Sequence, residues 1–177
     1  MPHECPGPGR KKENGTEEEK LSEITKKTYL KADLLYEFVI KYSDLMHQAH
    51  DYGSGVLLNM IKIHLLTYID QHPGVTVSEL ARMWNRTKGS ISQQVKKLEG
   101  LGYIRKVRDE ADRKVVRLYA TPAGAKLSAD HIHYDIASIM QTMRRLLKTC
   151  TIEEVDAFYK VIGAYIKLLD EDEEPGG

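Results

Sequence analysis

The segment 87–101 combines an apolar stripe with a polar face that contains no acidic residue. In a helix, which turns by about 100° per residue, Ile91, Val95 and Leu98 fall within about 60° of one another and would be buried. The opposite face carries small, amide-bearing or cationic side chains. They include Lys88, Ser90, Ser92, Gln93, Lys96 and Lys97. Serine and glutamine can hydrogen-bond base edges in a major groove, and lysine can contact phosphates. The pattern therefore predicts a helix whose outer face can lie against duplex nucleic acid.

A cationic hairpin is predicted directly after this helix. Two β-rich segments, 103–107 and 115–120, flank a short charged tip. The cations of the tip are Arg108, Arg113 and Lys114. Arg113 is placed to enter a narrow minor groove, where the concentrated negative potential attracts arginine, and the neighbouring Asp112 can hold its guanidinium in position.

Positive charge is concentrated in this part of the chain. The whole sequence contains 26 basic and 26 acidic residues, so its formal net charge is zero. The window from Arg82 to Arg117, however, contains eleven basic and four acidic residues and carries a net charge of +7. Because salt screens charges beyond about 10 Å, this local excess determines the field that a polyanion meets at close range.

Apolar spacing predicts helix over most of the remaining chain. The predicted helices cover 22–52, 56–71, 77–84, 87–102, 122–149 and 151–169. Gly53-Ser54-Gly55 is predicted to end the first of them. The sequences 76–79 and 151–154 both read as capping boxes, in which side chains at a helix start satisfy free backbone donors. Thr87 is the expected N-cap of the helix 87–102, and Thr121 followed by Pro122 fits an N-cap with proline in the first turn.

The run from 77 to 124 resembles the central domain of the MarR family of winged helix-turn-helix transcriptional regulators. The resemblance rests on Leu98-Glu99-Gly100-Leu101-Gly102 at the end of the polar-faced helix and on Asp112-Arg113-Lys114 in the hairpin. Thr121-Pro122-Ala123-Gly124 follows the family's Thr-x-x-Gly pattern, although Tyr119-Ala120 separates it from Leu118, so the strand exit departs from that pattern. The similarity in layout extends over roughly residues 25 to 169.

This resemblance implies a mainly α fold with a small β-hairpin wing, of the α+β class. It consists of a winged helix-turn-helix lobe plus N- and C-terminal helices that form an intertwined dimerisation region. It also implies a homodimer that binds double-stranded DNA at a pseudo-palindromic operator. Long apolar stripes at both chain ends, too extended for one small lobe to cover, argue independently for a partner surface. The predicted organisation is a disordered tail at 1–21, helical dimerisation segments at 22–55 and 122–169, a winged-helix domain at 56–121 and an acidic disordered tail at 170–177.

Similar regulators release DNA when a small aromatic, anionic or lipophilic effector binds between the dimer helices and the winged lobes. Side chains that can line such a crevice are Tyr42, Met46, His50, His64 and Tyr68. Methionine and tyrosine at helical spacing are ordinarily core residues, so simple packing is the alternative interpretation of each.

Histidine pairs raise the alternative of a zinc-responsive regulator with the same fold, because some members of the family are zinc sensors. His47 and His50 are three residues apart and can share a helical face. His131 and His133 are two apart, so their rings diverge by about 200° and cannot easily meet on one ion. We therefore predict no metal site and no cofactor. Cys5 and Cys150 make no disulfide framework, which fits a reducing compartment.

Other function classes are weighed against a ligand-responsive repressor. A winged-helix protein-interaction module could bind an acidic partner through the same basic face. An enzyme finds no support, because the sequence shows no nucleophile–base pair, no phosphate-binding glycine loop and no metal constellation at credible spacing. The acid-free helix face beside an arginine-tipped hairpin favours nucleic acid. No apolar run approaches the roughly 20 residues that span a bilayer, so we expect a cytoplasmic protein.

Overall fold

The computed structural model describes residues 16–173, and the chain divides into two compact units, residues 1–48 and 49–177. In the first unit, α1 covers Glu17–Tyr29 and α2 covers Ala32–His47. Thr16 and Glu19 form a capping box at the start of α1. The single helix predicted over 22–52 is therefore wrong. The chain leaves helical geometry at Lys31, and since neither glycine nor proline marks the break, the apolar spacing on both sides concealed it.

The second unit begins with a short hairpin that the sequence did not predict. Strand β1 (Ala49–Asp51) pairs antiparallel with β2 (Leu57–Asn59). One carboxylate oxygen of Asp51 accepts the N–H groups of Gly53, Ser54 and Gly55 at 2.9 to 3.0 Å. The glycine-rich segment is therefore the turn of a hairpin and not the end of a long helix.

The other elements of this unit follow in the predicted order. They are α3 (Met60–Gln71), α4 (Val77–Met83), α5 (Lys88–Gly100), β3 (Ile104–Arg108), β4 (Val116–Ala120), α6 (Pro122–Leu146) and α7 (Ile152–Glu173). The core is formed mainly by leucine and isoleucine side chains of α3, α4 and α5, with Leu118 of β4 and Leu127 of α6. The mainly α fold with a small hairpin wing is confirmed.

Strands β3 and β4 pair in antiparallel register from Ile104 opposite Ala120 to Arg108 opposite Val116. The chain segment 74–76 runs along the outer edge of β4. Leu118 accepts the N–H of Gly74 at 2.8 Å and donates its own to Val75 at 3.0 Å. This edge pairing fixes the base of the hairpin to the segment that precedes α4.

The start of α6 packs tightly on the residue before β3. The backbone N–H of Thr121 donates to the carbonyl of Tyr103 at 2.9 Å. The side-chain hydroxyl of Thr121 donates to the carbonyl of Gly102 at 2.7 Å. A Cβ atom on Gly124 would lie 2.0 Å from the Tyr103 carbonyl oxygen. The Thr-x-x-Gly pattern therefore has a packing reason, since glycine alone allows this approach.

At the two ends of the described chain, helix extends beyond the predicted boundaries. Helix α1 begins at Glu17, inside the segment 1–21 that was predicted to be disordered, because Thr16 caps it. Helix α7 continues to Glu173, into the predicted acidic tail. The rest of both predicted tails, residues 1–15 and 174–177, lies outside the described residues. Within residues 16–173 no helix combines the length and hydrophobicity that crossing a membrane requires.

Candidate nucleic-acid interface

Helix α5 is placed by a tight connection from α4. Asn85 adopts a left-handed conformation with φ of 45°, which asparagine tolerates better than most residues, and turns the chain between the two helices. The N–H of Arg86 then donates to the carbonyl of Ala81 at 2.9 Å. Thr87 caps α5, as predicted, by accepting the N–H of Ser90 at 3.2 Å.

The rotation of α5 about its axis is fixed by its apolar stripe. Ile91, Val95 and Leu98 are buried in the core. All six predicted contact residues of this helix are exposed on the other faces: Lys88, Ser90, Ser92, Gln93, Lys96 and Lys97. The structure thus turns the serines, glutamine and lysines outward, as the spacing predicts. Gln94, which the sequence did not single out, is half-buried between the two faces.

The wing, defined as residues 104–120, is held to the lobe by Arg117. Its guanidinium pairs with the carboxylate of Asp109 and also donates to the carbonyl of Gly74 at 3.2 Å. Arg117, with help from backbone N–H groups at Asp112 and Ala111, lowers the pKa of Asp109 below its usual value. Asp109 therefore stays ionised and fixes the direction in which the tip leaves the sheet.

The basic residues of the wing fall into two groups. Besides Arg117, two are engaged within the protein: the guanidinium of Arg105 lies 4.7 Å from the ring centroid of Tyr119, and Lys106 pairs with Glu99 at 2.7 Å. The three predicted contact cations of the tip form no ion pair with any residue of 16–173, and all are exposed. They are Arg108, Arg113 and Lys114. The structure therefore leaves the same three wing cations available that the sequence selected.

Asp112 does not hold Arg113 in the way that the sequence suggested. Its carboxylate accepts the backbone N–H of Lys114 at 2.9 Å, which shapes the turn. The acid that pairs with an arginine is Asp109, and its partner is Arg117. The sequence offered no signal for this pair, because the two residues meet across the hairpin register and not through neighbouring positions.

The five predicted effector residues belong to both units of the chain. Tyr42 and Met46 belong to α2 in the first unit, where the Tyr42 ring stacks on Phe38 with centroids 5.6 Å apart. Tyr68 stacks on His72 at 3.9 Å and lines an open cleft of about 560 Å³ with Arg82 and Arg117. Their role in binding a ligand stays a prediction.

His50 and His64 belong to one aromatic cluster in the second unit. The ring of His50 contacts Tyr52 with a centroid distance of 6.3 Å, Tyr52 contacts His131 at 4.9 Å, and His131 contacts His64 at 4.7 Å. Tyr134 packs edge-on against Tyr52 at 5.1 Å. The centre of this cluster is His131, a residue that sequence reasoning left unassigned.

His131 lies close to Asp135, a residue that the comparison of histidine spacings did not include. His133 is exposed while His131 is buried, so the two do diverge. Asp135, one turn after His131, places Oδ2 3.2 Å from Nε2 of His131 and 3.7 Å from Nε2 of His64. Burial lowers the pKa of His131, the charge of Asp135 opposes this shift, and His64 adds to it, so the neutral ring is favoured. An i, i+4 search that included carboxylates would have found this pair.

The arrangement of α3, α4, α5 and the β3–β4 wing is a winged helix-turn-helix. Residues 57–114 match the sequence model described as MarR family. The resemblance that the sequence motifs indicate is thus confirmed over the residues that this family model matches.

Individual relatives agree with this assignment. The chain is 32% identical over 84 residues to YhjH of Bacillus subtilis strain 168, described as an uncharacterized HTH-type transcriptional regulator, and the match covers 48% of each chain. The alignment thus spans about half the length of that relative. Among solved structures, FabT of Streptococcus pneumoniae in complex with DNA has a TM-score of 0.57, with 23% identity over 83% of this chain and 96% of its own. ZitR of Lactococcus lactis in complex with DNA has a TM-score of 0.59, with 18% identity over 80% and 97%.

Proposed function

We propose that this protein is a sequence-specific, double-stranded DNA-binding transcriptional regulator and that α5 is its recognition helix. The observation that carries the proposal is the outward face of α5, where serine, glutamine and lysine side chains are exposed beside the unpaired cations of the wing tip. Ser90, Ser92 and Gln93 supply donors and acceptors for base edges. The lysines and the wing cations supply contacts to phosphates and to a minor groove. The DNA complexes of the structural relatives are consistent with this assignment.

We propose further that the protein acts as a homodimer. The later part of α6 and all of α7 expose many large apolar side chains to solvent. They include Ile136, Ile139, Met140, Tyr165, Ile166 and Leu169. Apolar surface of this extent on a water-exposed protein is normally covered by a partner, and a second copy offers the same complementary surface. A two-fold dimer presents its recognition helices to half-sites about one helical turn apart, so the operator is a pseudo-palindrome.

A repressor that is released by a small effector is the regulatory form that we favour. Two candidate effector residues of the second unit, His50 and His64, lie in the aromatic cluster around His131. Aromatic walls with a few polar atoms are typical of small-molecule sites. This element of the proposal rests on the DNA binding that is proposed above.

The decisive experiment begins with selection of duplexes from a random library by the full-length protein, followed by binding titrations at several salt concentrations. We expect a pseudo-palindromic sequence to be enriched. Six cations of each protomer face the proposed ligand, so the logarithm of affinity falls steeply with the logarithm of salt, with a slope of about −5 to −10 for the dimer.

Three variants separate the roles of the surface. Arg113→Ala weakens binding to selected and scrambled duplexes alike and reduces the salt slope by about 1 per protomer. Gln93→Ala changes the preference among duplexes that differ at one base pair, with a loss of discrimination of about 1–3 kcal/mol. Lys126→Ala is the matched control, because Lys126 lies on α6 and is paired with Asp130. We expect this variant to bind the duplex with the affinity of the parent.

Two results would overturn the assignment. If Arg113→Ala and Gln93→Ala both bind the selected duplex like the parent, the wrong surface has been identified. If no sequence is enriched and the protein binds an acidic polypeptide with the same salt dependence, the winged helix is a protein-interaction module.

A further inference from the structure

A cleft of about 560 Å³ opens between the end of α3, the exposed face of α4 and strand β4. Its volume lies within the range of about 300–1,000 Å³ that is usual for small-molecule sites. None of its lining residues is among the proposed DNA contacts. Because α3, α4 and β4 all belong to the winged lobe, the cleft differs from a crevice between the lobe and the dimer helices.

Two guanidinium groups and one carboxylate supply the charge of this cleft. The guanidinium of Arg82 forms no hydrogen bond and no ion pair with any residue of 16–173, whereas that of Arg117 pairs with Asp109. The carboxylate of Glu79 is occupied, because its Oε2 accepts the N–H and the hydroxyl of Thr76 at 2.7 and 2.8 Å. These bonds lower the pKa of Glu79, with smaller contributions from Arg117 and Arg82, so the group stays ionised. Arg82 is thus available to an anion from outside the chain.

A flat aromatic wall lines the cleft together with these charges. The rings of Tyr68 and His72 stack with their centroids 3.9 Å apart and their planes at 14°. The Nδ1 N–H of His72 donates to the carbonyl of Tyr68 at 3.1 Å and fixes the orientation of the imidazole. Met83 adds an apolar side chain from α4. Aromatic rings favour stacking with a planar ligand, and a guanidinium can bind carboxylate or phosphate through two parallel hydrogen bonds.

We propose that this cleft binds a small planar organic anion, a flat ring that carries a carboxylate or phosphate group. The ring packs against the Tyr68–His72 pair, and the anionic group bonds to Arg82. Arg117 lines the same cleft, and its bond to Asp109 sets the direction of the wing tip. A bound anion therefore competes with Asp109 for Arg117 and loosens the wing. This effect on DNA binding rests on the proposed function, whereas the binding of the anion does not.

The first test uses the full-length protein without DNA and four probes at matched ionic strength. Benzoate and phenyl phosphate carry both the ring and the charge, benzamide lacks the charge, and inorganic phosphate lacks the ring. Binding is followed by shifts of the backbone amide resonances. We expect benzoate or phenyl phosphate to shift the amides of residues 72–83 and to bind at least about tenfold more tightly than benzamide and inorganic phosphate. The tighter of the two identifies the anionic group that the cleft prefers.

Three variants test the assigned roles. Arg82→Gln reduces affinity for the preferred probe by about tenfold, because charge-assisted hydrogen bonds are lost. Arg86→Gln is the matched control, since it removes an exposed arginine that follows α4 outside the cleft, and it leaves probe affinity unchanged. Asp109→Asn removes the competitor for Arg117 and tightens probe binding by about threefold, whereas general damage to the lobe would weaken it.

The second test adds the selected duplex. A saturating amount of the preferred probe weakens duplex binding by the parent by about threefold and leaves that of Asp109→Asn unchanged, because the bond that the probe breaks is already absent. Equal weakening of both proteins, or none in the parent, overturns the coupling to the wing. Equal probe affinity in the parent and Arg82→Gln, or equal binding of benzamide or inorganic phosphate, overturns the site itself. Failure of the proposed function is a separate result, in which no duplex is selected although the probe still binds through Arg82.

Discussion

Helices α5 and α7 are both amphipathic, but they present opposite sides to solvent. In α5 the apolar stripe of Ile91, Val95 and Leu98 is at most 2% exposed, and the polar side faces outward. In α7 Tyr165, Ile166 and Leu169 are more than half exposed. The same periodicity therefore produces one helix whose apolar side is covered by the winged lobe and another whose apolar side the lobe does not cover.

This difference shows which properties a single copy of the chain determines by itself. The winged lobe fixes the rotation of α5 through its own core, so the orientation of the proposed DNA-binding face needs no partner. The apolar surface of α6 and α7 is not covered by the winged lobe, and we propose that a second copy of the chain covers it. Substitutions in the lobe are therefore expected to act independently of protein concentration, and substitutions in α7 are not.

The largest effect is expected for Gly124→Ala. The added Cβ would lie 2.0 Å from the carbonyl oxygen and 2.9 Å from the carbonyl carbon of Tyr103, so the backbone of α6 or β3 has to move. We expect a loss of about 3 kcal/mol or more in the free energy of unfolding, measured by urea denaturation.

Gly100→Ala is the matched control for that substitution. Gly100 is the last residue of α5, and a Cβ placed there meets nothing within 4 Å. Alanine is the better helix former by about 0.5–1 kcal/mol, so stability is expected to rise slightly or stay constant. Similar losses for the two variants would show that the contact of α6 with Tyr103 does not hold the lobe together.

A pair of leucine substitutions tests the comparison between the two helices directly. Leu98 is fully buried in α5, and Leu98→Ala is expected to cost about 3 kcal/mol at every protein concentration. Leu169→Ala in α7 removes a half-exposed side chain and is expected to cost little in the isolated protomer. Its effect should appear as weaker self-association in sedimentation experiments. Equal, concentration-independent losses would indicate that α7 is covered within one chain.

The sequence predicted those features that local chemistry determines. The caps at Thr76, Thr87 and Thr121 and the wing strands follow from short patterns, and the structure confirms them. The break at Lys31 and the β1–β2 hairpin were missed, because helical apolar spacing continued across both places. Contacts between residues distant in sequence were not predictable, since spacing along one helix carries no information about a facing helix. The cluster of His64 with His131 is the main example.

A smaller effect is expected from removing equivalent helix caps in the two regions. Thr87 caps α5 and Thr151 caps α7, each by accepting an N–H from the third residue of its helix. Thr87→Ala is expected to lower the free energy of unfolding of the lobe by about 1 kcal/mol. Thr151→Ala should increase hydrogen exchange in the first turn of α7 and leave the amides of α3 and α5 unchanged. Faster exchange in α5 after Thr151→Ala would show that the two helices unfold as one unit.

The smallest effect on duplex binding is expected for two acidic residues of the wing. The informative result is whether each substitution weakens or strengthens binding. Both Asp109→Asn and Glu110→Gln remove a negative charge near the proposed DNA, so charge alone predicts tighter duplex binding for each. Asp109, however, pairs with Arg117 and sets the direction of the tip, whereas Glu110 is simply exposed. We therefore expect Asp109→Asn to weaken binding by about threefold and Glu110→Gln to strengthen it by about twofold. Tighter binding by both variants would mean that the wing acts only as a diffuse cation. Opposite signs would mean that contacts within the lobe fix the position of its charged surface, as they fix its core. The exposed apolar side of α7 is not fixed by the lobe in this way.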